Sequence, residues 1–370
     1  MKYYLICGER SGDLHASNLV TELQKLDSAA VFRGMGGGYC ENAGMDLLVH
    51  YKEVSMMGFV EVVLGFRKVL KYLSLVKSDL MSFRPDALIL VDFGGFNMKI
   101  AAFAKSKGIP VHYYIPPKVW AWNQSRALKI KRFTDHVYCI LPFEPEFFQK
   151  YEVEAYYVGN PLLDEIAKFE PHPFFHQKNE LNYQPIIALL PGSRQQELDN
   201  MLSVMLEVVR KFPNAQFVIA GVSNLKPDAY TPAIKAGIRI VFDQTYDLLH
   251  HATAAIVTSG TATLETAIFR VPQVVVYKTS SISYAIAKRL IRVPFISLVN
   301  LIAGKEVVKE LIQSDFRSNS VARELNLLLS DISQKAKVLQ GYDLVKENLG
   351  DLPASSCVAK KIFKELGRND

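Results

Sequence analysis

Pro191-Gly192-Ser193-Arg194 closes the apolar run Ile186–Leu190 and opens a segment with helical spacing. Free N–H groups at a helix start favour an anion, and an arginine beside them can fork onto phosphate oxygens. Ser193 with Gln196 three residues on fits a capping box, which would start the helix at Arg194. Similar residue types recur at Ser259-Gly260-Thr261-Ala262-Thr263-Leu264-Glu265, again after an apolar run. Glu265 falls in the early turns of that second helix. A carboxylate there is stabilised by the helix dipole, and it is also placed to bind the two hydroxyls of a ribose. Either loop alone reads equally as a capped connection. Two in one half of the chain suggest a nucleotide diphosphate, with phosphate on one loop and sugar on the other.

Other nucleotide chemistries fit poorly. G-x-x-x-x-G-K-[ST] is missing, which argues against P-loop phosphoryl transfer. Gly8-Glu9-Arg10-Ser11-Gly12 lacks the spacing of a dinucleotide fingerprint, and Gly34-Met35-Gly36-Gly37-Gly38 reads as a turn. No D-x-D is present to hold a divalent ion, and Pro173 spoils the helix that would align His172 and His176 on one. Nucleotide-sugar chemistry with no metal and no other cofactor passes these filters.

An acceptor and a base must then come from the first half. Glu9-Arg10-Ser11-Gly12-Asp13 follows the first apolar run, and Asp92 closes the run at 87–92. An acid at the mouth of a parallel strand is a candidate general base, although a capping aspartate is the plain alternative. Gly94 and Gly95 beside it permit close approach to the backbone. Both tryptophans, Trp120 and Trp122, lie in Pro116-Pro117-Lys118-Val119-Trp120-Ala121-Trp122-Asn123, as a sugar-binding wall or as core.

The elements that must position these residues follow an alternating pattern. Short β-rich runs at 3–7, 30–33, 87–92, 110–114, 136–141 and 155–158 predict strands, and the pattern restarts at 186–190, 216–220, 238–242, 254–258 and 273–277. Residues 305–312, 320–330 and 354–366 read as helices. The expected fold is α/β, with two Rossmann-like parallel-sheet domains facing across a cleft. The expected divisions are 1–168, a proline-rich and polar linker at 169–185, a second domain at 186–340, and C-terminal helices at 341–370 packing back on the first domain. Length agrees, since 370 residues exceed the size at which single cores usually stop growing.

Net charge is +6, too mild and too scattered for a nucleic-acid binder but compatible with phosphorylated ligands or an anionic membrane surface. Cys7, Cys40, Cys139 and Cys357 are far apart in sequence, which argues against a zinc site or a disulfide framework and fits a reducing cytoplasm. MKYYLICGERSGD meets charge by Glu9 and reads as a first strand rather than a signal peptide. No uncharged apolar run reaches the roughly 18 residues of a spanning helix.

Taken in order, these motifs resemble the lipid-A-disaccharide synthase family. They are Glu9-x-Ser11-Gly12-Asp13, Met57-Gly58-Phe59-Val60-Glu61-Val62, Val119-Trp120-Ala121-Trp122, Leu141-Pro142-Phe143-Glu144, Leu190-Pro191-Gly192-Ser193-Arg194, Ser259 to Glu265, and Asn300-Leu301-Ile302-Ala303-Gly304-Lys305-Glu306. The resemblance implies a GT-B glycosyltransferase joining UDP-2,3-diacylglucosamine to 2,3-diacylglucosamine 1-phosphate. The acceptor 6-hydroxyl attacks the anomeric carbon with inversion and releases UDP. It implies Asp92 as base, Gly192, Ser193, Arg194 and Thr261 at the diphosphate, Glu265 at the ribose and Asn300 as a further donor contact. Arg194 would also stabilise the departing UDP. Glu9, Ser11, Gly12, Met57, Trp120 and Trp122 would face the acyl-sugar side.

The chain departs from the family pattern where Phe93-Gly94-Gly95 follows Asp92 in place of Ala-Pro-Asp, and at Lys118, Asn123 and Lys305. A UDP-N-acetylglucosamine 2-epimerase or the peptidoglycan N-acetylglucosaminyltransferase would share the UDP half, and Met57–Val62 and Val119–Trp122 discriminate against them. A non-catalytic nucleotide-sugar sensor would bind UDP without transfer.

Acylated substrates imply peripheral work at the cytoplasmic face of the inner membrane, with a homodimer allowed. Residues 54–80 are apolar with mostly basic charges. At helical spacing Arg67, Lys68 and Lys71 share a face, with Val63, Phe66, Leu70 and Leu73 nearby, as suits an interfacial helix.

Overall fold

The computed structural model describes residues 1–55, 62–290 and 293–367. Met57 to Glu61, and with them most of the motif read at 57–62, lie outside the described residues, as does the Arg67 side chain. The chain divides into two compact units, Met1–Asp164 with Asp351–Asp370, and Glu165–Gly350.

The first unit holds a seven-stranded parallel sheet. Its strands are β1 (Lys2–Cys7), β2 (Val31–Gly36), β3 (Asp46–His50), β4 (Ala87–Val91), β5 (Val111–Tyr114), β6 (His136–Cys139) and β7 (Ala155–Tyr157). They lie in the order β3-β2-β1-β4-β5-β6-β7. The second unit holds β8 (Ile186–Leu190), β9 (Gln216–Gly221), β10 (Arg239–Phe242), β11 (Ala252–Thr258), β12 (Gln273–Tyr277) and β13 (Lys309–Ile312), parallel in the order β10-β9-β8-β11-β12-β13. Two parallel-sheet α/β units are the fold class the strand rhythm predicts. In each sheet the order reverses once, at β1/β4 and at β8/β11.

Helices cover both faces of each sheet, so the central strands are apolar without alternation. ALILV of β4 and IIALL of β8 are wholly buried. Tyr3, Leu5 and Cys7 of β1 join one cluster, with Ala16, Leu19, Val20 and Leu23 of the helix Arg10–Leu26. Tyr4 and Ile6 face the other way, into Leu73, Val76 and Leu80 of Val62–Phe83 and Ile100, Ala101 and Ala104 of Gly94–Ser106. Val358, Ala359 and Ile362 of the helix Ala354–Glu365 pack in the β1 cluster, so the last helix completes the first unit.

Three elements differ from the sequence reading. Asp46–His50 is an edge strand that the sequence did not signal. Lys309–Ile312 is a strand paired with β12, where 305–312 read as helix. Lys309, Glu310 and Leu311 have good helix propensity, but pairing along β12 outweighs a few tenths of a kcal/mol per residue. Phe169–Pro185, read as a linker from its prolines, instead carries Phe175 and Leu181 into the core of the second unit. The helix Ile332–Leu349 runs through residue 341, and the chain passes to the first unit at 350/351. Among the described residues no helix is long and apolar enough to cross a membrane.

Candidate active site

In open parallel sheets ligands bind outside the carboxyl ends of the strands, where the order reverses. In the first unit that place joins the loops after β1 and β4. They touch: a Cβ on Gly8 would lie 2.1 Å from Cγ of Phe93, so only glycine fits beneath that ring. Glu9 precedes the helix Arg10–Leu26 as an exposed extended residue; Arg10 and Ser11 are exposed, and Gly12 is buried on Cys7 and the Val91 carbonyl.

Asp13 is buried, and its carboxylate accepts N–H groups from Gly37 at 2.7 Å, Tyr39 at 3.0 Å and Cys40 at 3.2 Å. It therefore fastens the turn after β2 to the first helix. The fold also brings Cys7 and Cys40, 33 residues apart, against it: one ligand atom from each of the three lies within 4.8 Å of the others. Hydrogen bonding to Cys7 and burial push the Cys40 thiol far up, so it stays protonated and packs as a small apolar group.

Asp92 follows β4 half-buried, and both it and Phe93 are left-handed, each with φ 51°. Such a conformation is uncommon outside glycine and twice running is strained. Its hydrogen bonds hold it there. The Asp92 N–H donates to the Tyr114 carbonyl at 3.1 Å. Its carbonyl accepts the Tyr113 hydroxyl at 2.7 Å and the Asn97 amide at 2.8 Å. The helix Gly94–Ser106 starts immediately after, with Gly94 against Pro117.

The two tryptophans part company. Trp120 is buried, meets Phe143 edge-on at 4.9 Å, and donates its indole N–H to Glu144 at 2.9 Å. Trp122 is 41% exposed with the Arg126 guanidinium 4.5 Å above its ring. Of the pair, only Trp122 has surface to offer a ligand. The sequence pattern by itself marks no role for Glu144. It also accepts N–H groups from Leu141 at 3.0 Å and Ile140 at 3.2 Å, and thereby ties the loop after β6 to the loop after β5. Burial pushes its carboxyl up to about 7, against the lowering pull of those bonds and of Lys118.

In the second unit the reversal joins the loops after β8 and β11. Gly192 is left-handed at φ 111°, and a Cβ there would lie 2.3 Å from Glu197 Oε2. That oxygen accepts the N–H groups of Ser193 at 2.9 Å and Arg194 at 3.3 Å. The helix begins at Gln195 with Arg194 as its cap residue. This corrects the capping reading: Glu197, not Gln196, closes the turn, because a start one residue later places the third helical position at 197. Ser193 and Arg194 are exposed.

Thr261 is the exposed first residue of the helix Thr261–Ile268. The Ser259 hydroxyl donates to the Ile296 carbonyl at 2.8 Å, and a Cβ on Gly260 would meet nothing within 4 Å. Glu265 accepts the Tyr246 hydroxyl at 3.3 Å, and burial raises its carboxyl above the usual range. Asn300 overturns its expected role as a donor contact. It is fully buried, its oxygen accepts the Val307 and Val308 N–H groups, and its nitrogen donates to the Val308 carbonyl and to Glu310. With its hydrogen-bonding capacity spent inside the fold, Asn300 is a brace for the loop before β13.

The chain matches the Lipid-A-disaccharide synthetase family over residues 3–362. The lipid-A-disaccharide synthase of Syntrophotalea carbinolica is 36% identical over 367 residues, covering 97% of this chain and 94% of that protein. That of Geobacter sulfurreducens is 35% identical over 377 residues, covering 98% and 97%. The fold is similar to S. aureus MnaA in a co-structure with UDP, with a TM-score of 0.69 at 12% identity, covering 99% of this chain and 96% of that one. It is also similar to UDP-GlcNAc 2-epimerase from Neisseria meningitidis bound to UDP-GlcNAc, with a TM-score of 0.63 at 14% identity and complete coverage of both chains.

Proposed function

Because the chain belongs to the lipid-A-disaccharide synthase family, we propose that its first unit receives the acyl-sugar acceptor and its second unit the UDP-sugar donor. It is a glycosyltransferase of lipid A biosynthesis. It condenses UDP-2,3-diacylglucosamine with 2,3-diacylglucosamine 1-phosphate. The acceptor 6-hydroxyl gives its proton to Asp92 as its oxygen attacks the anomeric carbon from the face opposite UDP. The new bond forms as the bond to the diphosphate breaks, so configuration inverts. Arg194 meets the charge that gathers on departing UDP, where fixed positive groups lower the barrier most.

The observation that carries this reading is Asp92 itself, a half-buried acid whose own N–H and carbonyl are held by three hydrogen bonds, two of them from side chains, at the point where the first sheet reverses. On the donor side Glu197 engages the Ser193 and Arg194 N–H groups, so that loop offers the diphosphate side chains rather than backbone. The exposed N-terminus of Thr261–Ile268 supplies N–H groups, and Glu265 takes the ribose. Glu9, Ser11 and Trp122 face the acceptor side.

Incubating the protein with both lipid substrates in the presence of a chelator, and following products by mass spectrometry, tests the reading. Disaccharide 1-phosphate and UDP should appear in equal amounts. Epimerised donor without disaccharide would make it an epimerase, and UDP binding without turnover would make it a sensor.

The substrates reside in a membrane, and the segment 54–80 is proposed to meet the cytoplasmic face of the inner membrane. Among its described residues Lys68 and Lys71 are exposed and Leu70 is 45% exposed, while Leu73, Val76 and Leu80 are core. A basic face beside exposed leucine suits anionic headgroups. Arg67, Lys68 and Lys71 changed together to Ser should weaken sedimentation with anionic vesicles; unchanged sedimentation would move membrane contact elsewhere.

A further inference from the structure

Asp92 does not reach its conformation by its own preference. Residues with a Cβ adopt positive φ rarely, and here Asp92 and Phe93 do so in succession. A strand end left to itself would relax to extended or right-handed backbone, and the Cα–Cβ bond of Asp92 would turn with it. What prevents this is a set of three hydrogen bonds on the two peptide groups that flank Asp92. The Tyr114 carbonyl takes its N–H, while the Tyr113 hydroxyl and the Asn97 amide converge on its carbonyl. Fixing both flanking peptides fixes the Cβ direction.

The two side-chain donors are suited to the task. Tyr113 lies in β5, paired to Leu90 of β4, and is fully buried. Burial raises its hydroxyl far above its ordinary range, so it remains a donor at every working pH. Asn97 is also fully buried, one turn into the helix that follows Asp92, with its own N–H on the Phe93 carbonyl. Its amide nitrogen lies further from the carbonyls of Val91, at 3.4 Å, and Ile6, at 3.5 Å, so the Asp92 carbonyl is its nearest acceptor. Neither side chain has exposed surface with which to reach a substrate.

We propose that Tyr113 and Asn97 are positioning residues that aim the Asp92 carboxylate by clamping its carbonyl in the left-handed conformation. This rests on Asp92 being the base. The clamp transmits no proton: it sets the distance and angle at which the carboxylate meets the acceptor hydroxyl, where misplacement by about 1 Å costs on the order of 100-fold in rate.

Tyr113→Phe deletes one donor and keeps the ring. It should lower kcat roughly 10-fold to 100-fold, with UDP affinity and donor KM unchanged. Loss of folded protein would also lower kcat, so the test is a double-mutant cycle with Asp92→Asn. Residues acting as one unit are strongly non-additive, and Tyr113→Phe in the Asp92→Asn background should cost less than about twofold. Asn97→Ala removes the other donor from the same carbonyl and carries the same cycle if Tyr113→Phe fails to fold. An equal loss in both backgrounds overturns the clamp while leaving Asp92 as base. Turnover of Asp92→Asn close to the parent removes the base assignment and the clamp with it.

Discussion

Each sheet reverses its strand order once, and the two reversal points solve the problem of placing a charge in opposite ways. In the first unit an acid is held half-buried, on backbone bent into an uncommon conformation by buried partners. In the second, a cation stands exposed at a helix start, on a loop whose backbone is closed by its neighbour Glu197. If Asp92 is the base we propose, it needs a fixed angle to one proton, and rigidity serves it. A diphosphate arrives with several oxygens and brings its own charge, so an exposed arginine can find it. On the proposed roles, damage at the first point should appear in the chemical step, and damage at the second in nucleotide binding.

The largest effect expected is at Asp92. Asp92→Asn keeps shape but cannot take a proton, so kcat should fall roughly 10²-fold to 10⁴-fold. UDP binding measured by calorimetry should be unchanged. A matching loss of UDP affinity would break the division between the two points.

Glu144 gives a prediction of about 3 kcal/mol in stability, on the first unit alone. Its carboxyl is pushed from the ordinary 4.5 up to about 7. Between those pH values the folded protein keeps a proton that the unfolded chain has lost, so stability falls as pH rises through that window. The size follows from about 1.4 kcal/mol per pH unit. Thermal midpoints measured from pH 4.5 to 7.5 should decline more steeply in the parent than in Glu144→Gln. Equal slopes would mean that Glu144 does not carry the proton.

Arg194 comes next. If Arg194 meets the diphosphate as proposed, Arg194→Ala removes a charge-assisted contact of about 1.5–3 kcal/mol, and UDP affinity should fall roughly 10-fold to 100-fold. Arg194→Lys keeps the charge but loses the planar fork and should lie between. Parent-like UDP affinity in both variants would take the diphosphate away from this loop.

Much of this arrangement was legible in the sequence, and the failures have physical causes. Strands buried on both faces announce themselves as apolar runs, which is why the loops after β1, β4, β8 and β11 stand out in the sequence, while the strand order that makes them reversal points comes from the structure alone. Edge strands do not: Lys309–Ile312 has two charged residues in four, and only its pairing with β12 makes it a strand. Phe175 looked like part of a polar linker because sequence composition cannot show that one aromatic turns inward. Asn300 looked like a ligand because an asparagine in a motif carries no mark of whether its amide is already spent. Cys7 and Cys40 were separated by 33 residues and meet only through the β1–β2 pairing. The left-handed turn at Asp92 was the least legible, since its donors come from β5 and from the following helix.

The smallest effects separate two loops that look alike in sequence. Gly192 and Gly260 each lie in a glycine turn before a helix, yet one turn is filled and the other is open. Gly192 has φ 111°, and an added Cβ would strike Glu197 at 2.3 Å. Gly192→Ala should therefore destabilise the protein by about 1–3 kcal/mol through backbone strain, seen as a lower thermal midpoint. Gly260 has φ 164°, an extended value that any residue adopts, and its added Cβ would meet nothing within 4 Å. Gly260→Ala should leave stability within about 0.5 kcal/mol of the parent. A methyl group standing over that helix start would nonetheless crowd a phosphate approaching its N–H groups. UDP affinity should fall by about 1 kcal/mol, roughly fivefold. Parent-like binding in Gly260→Ala would clear this loop of the diphosphate and leave it on Ser193 and Arg194. A weakened binder with an unchanged midpoint would place the phosphate where the fold has left room for it.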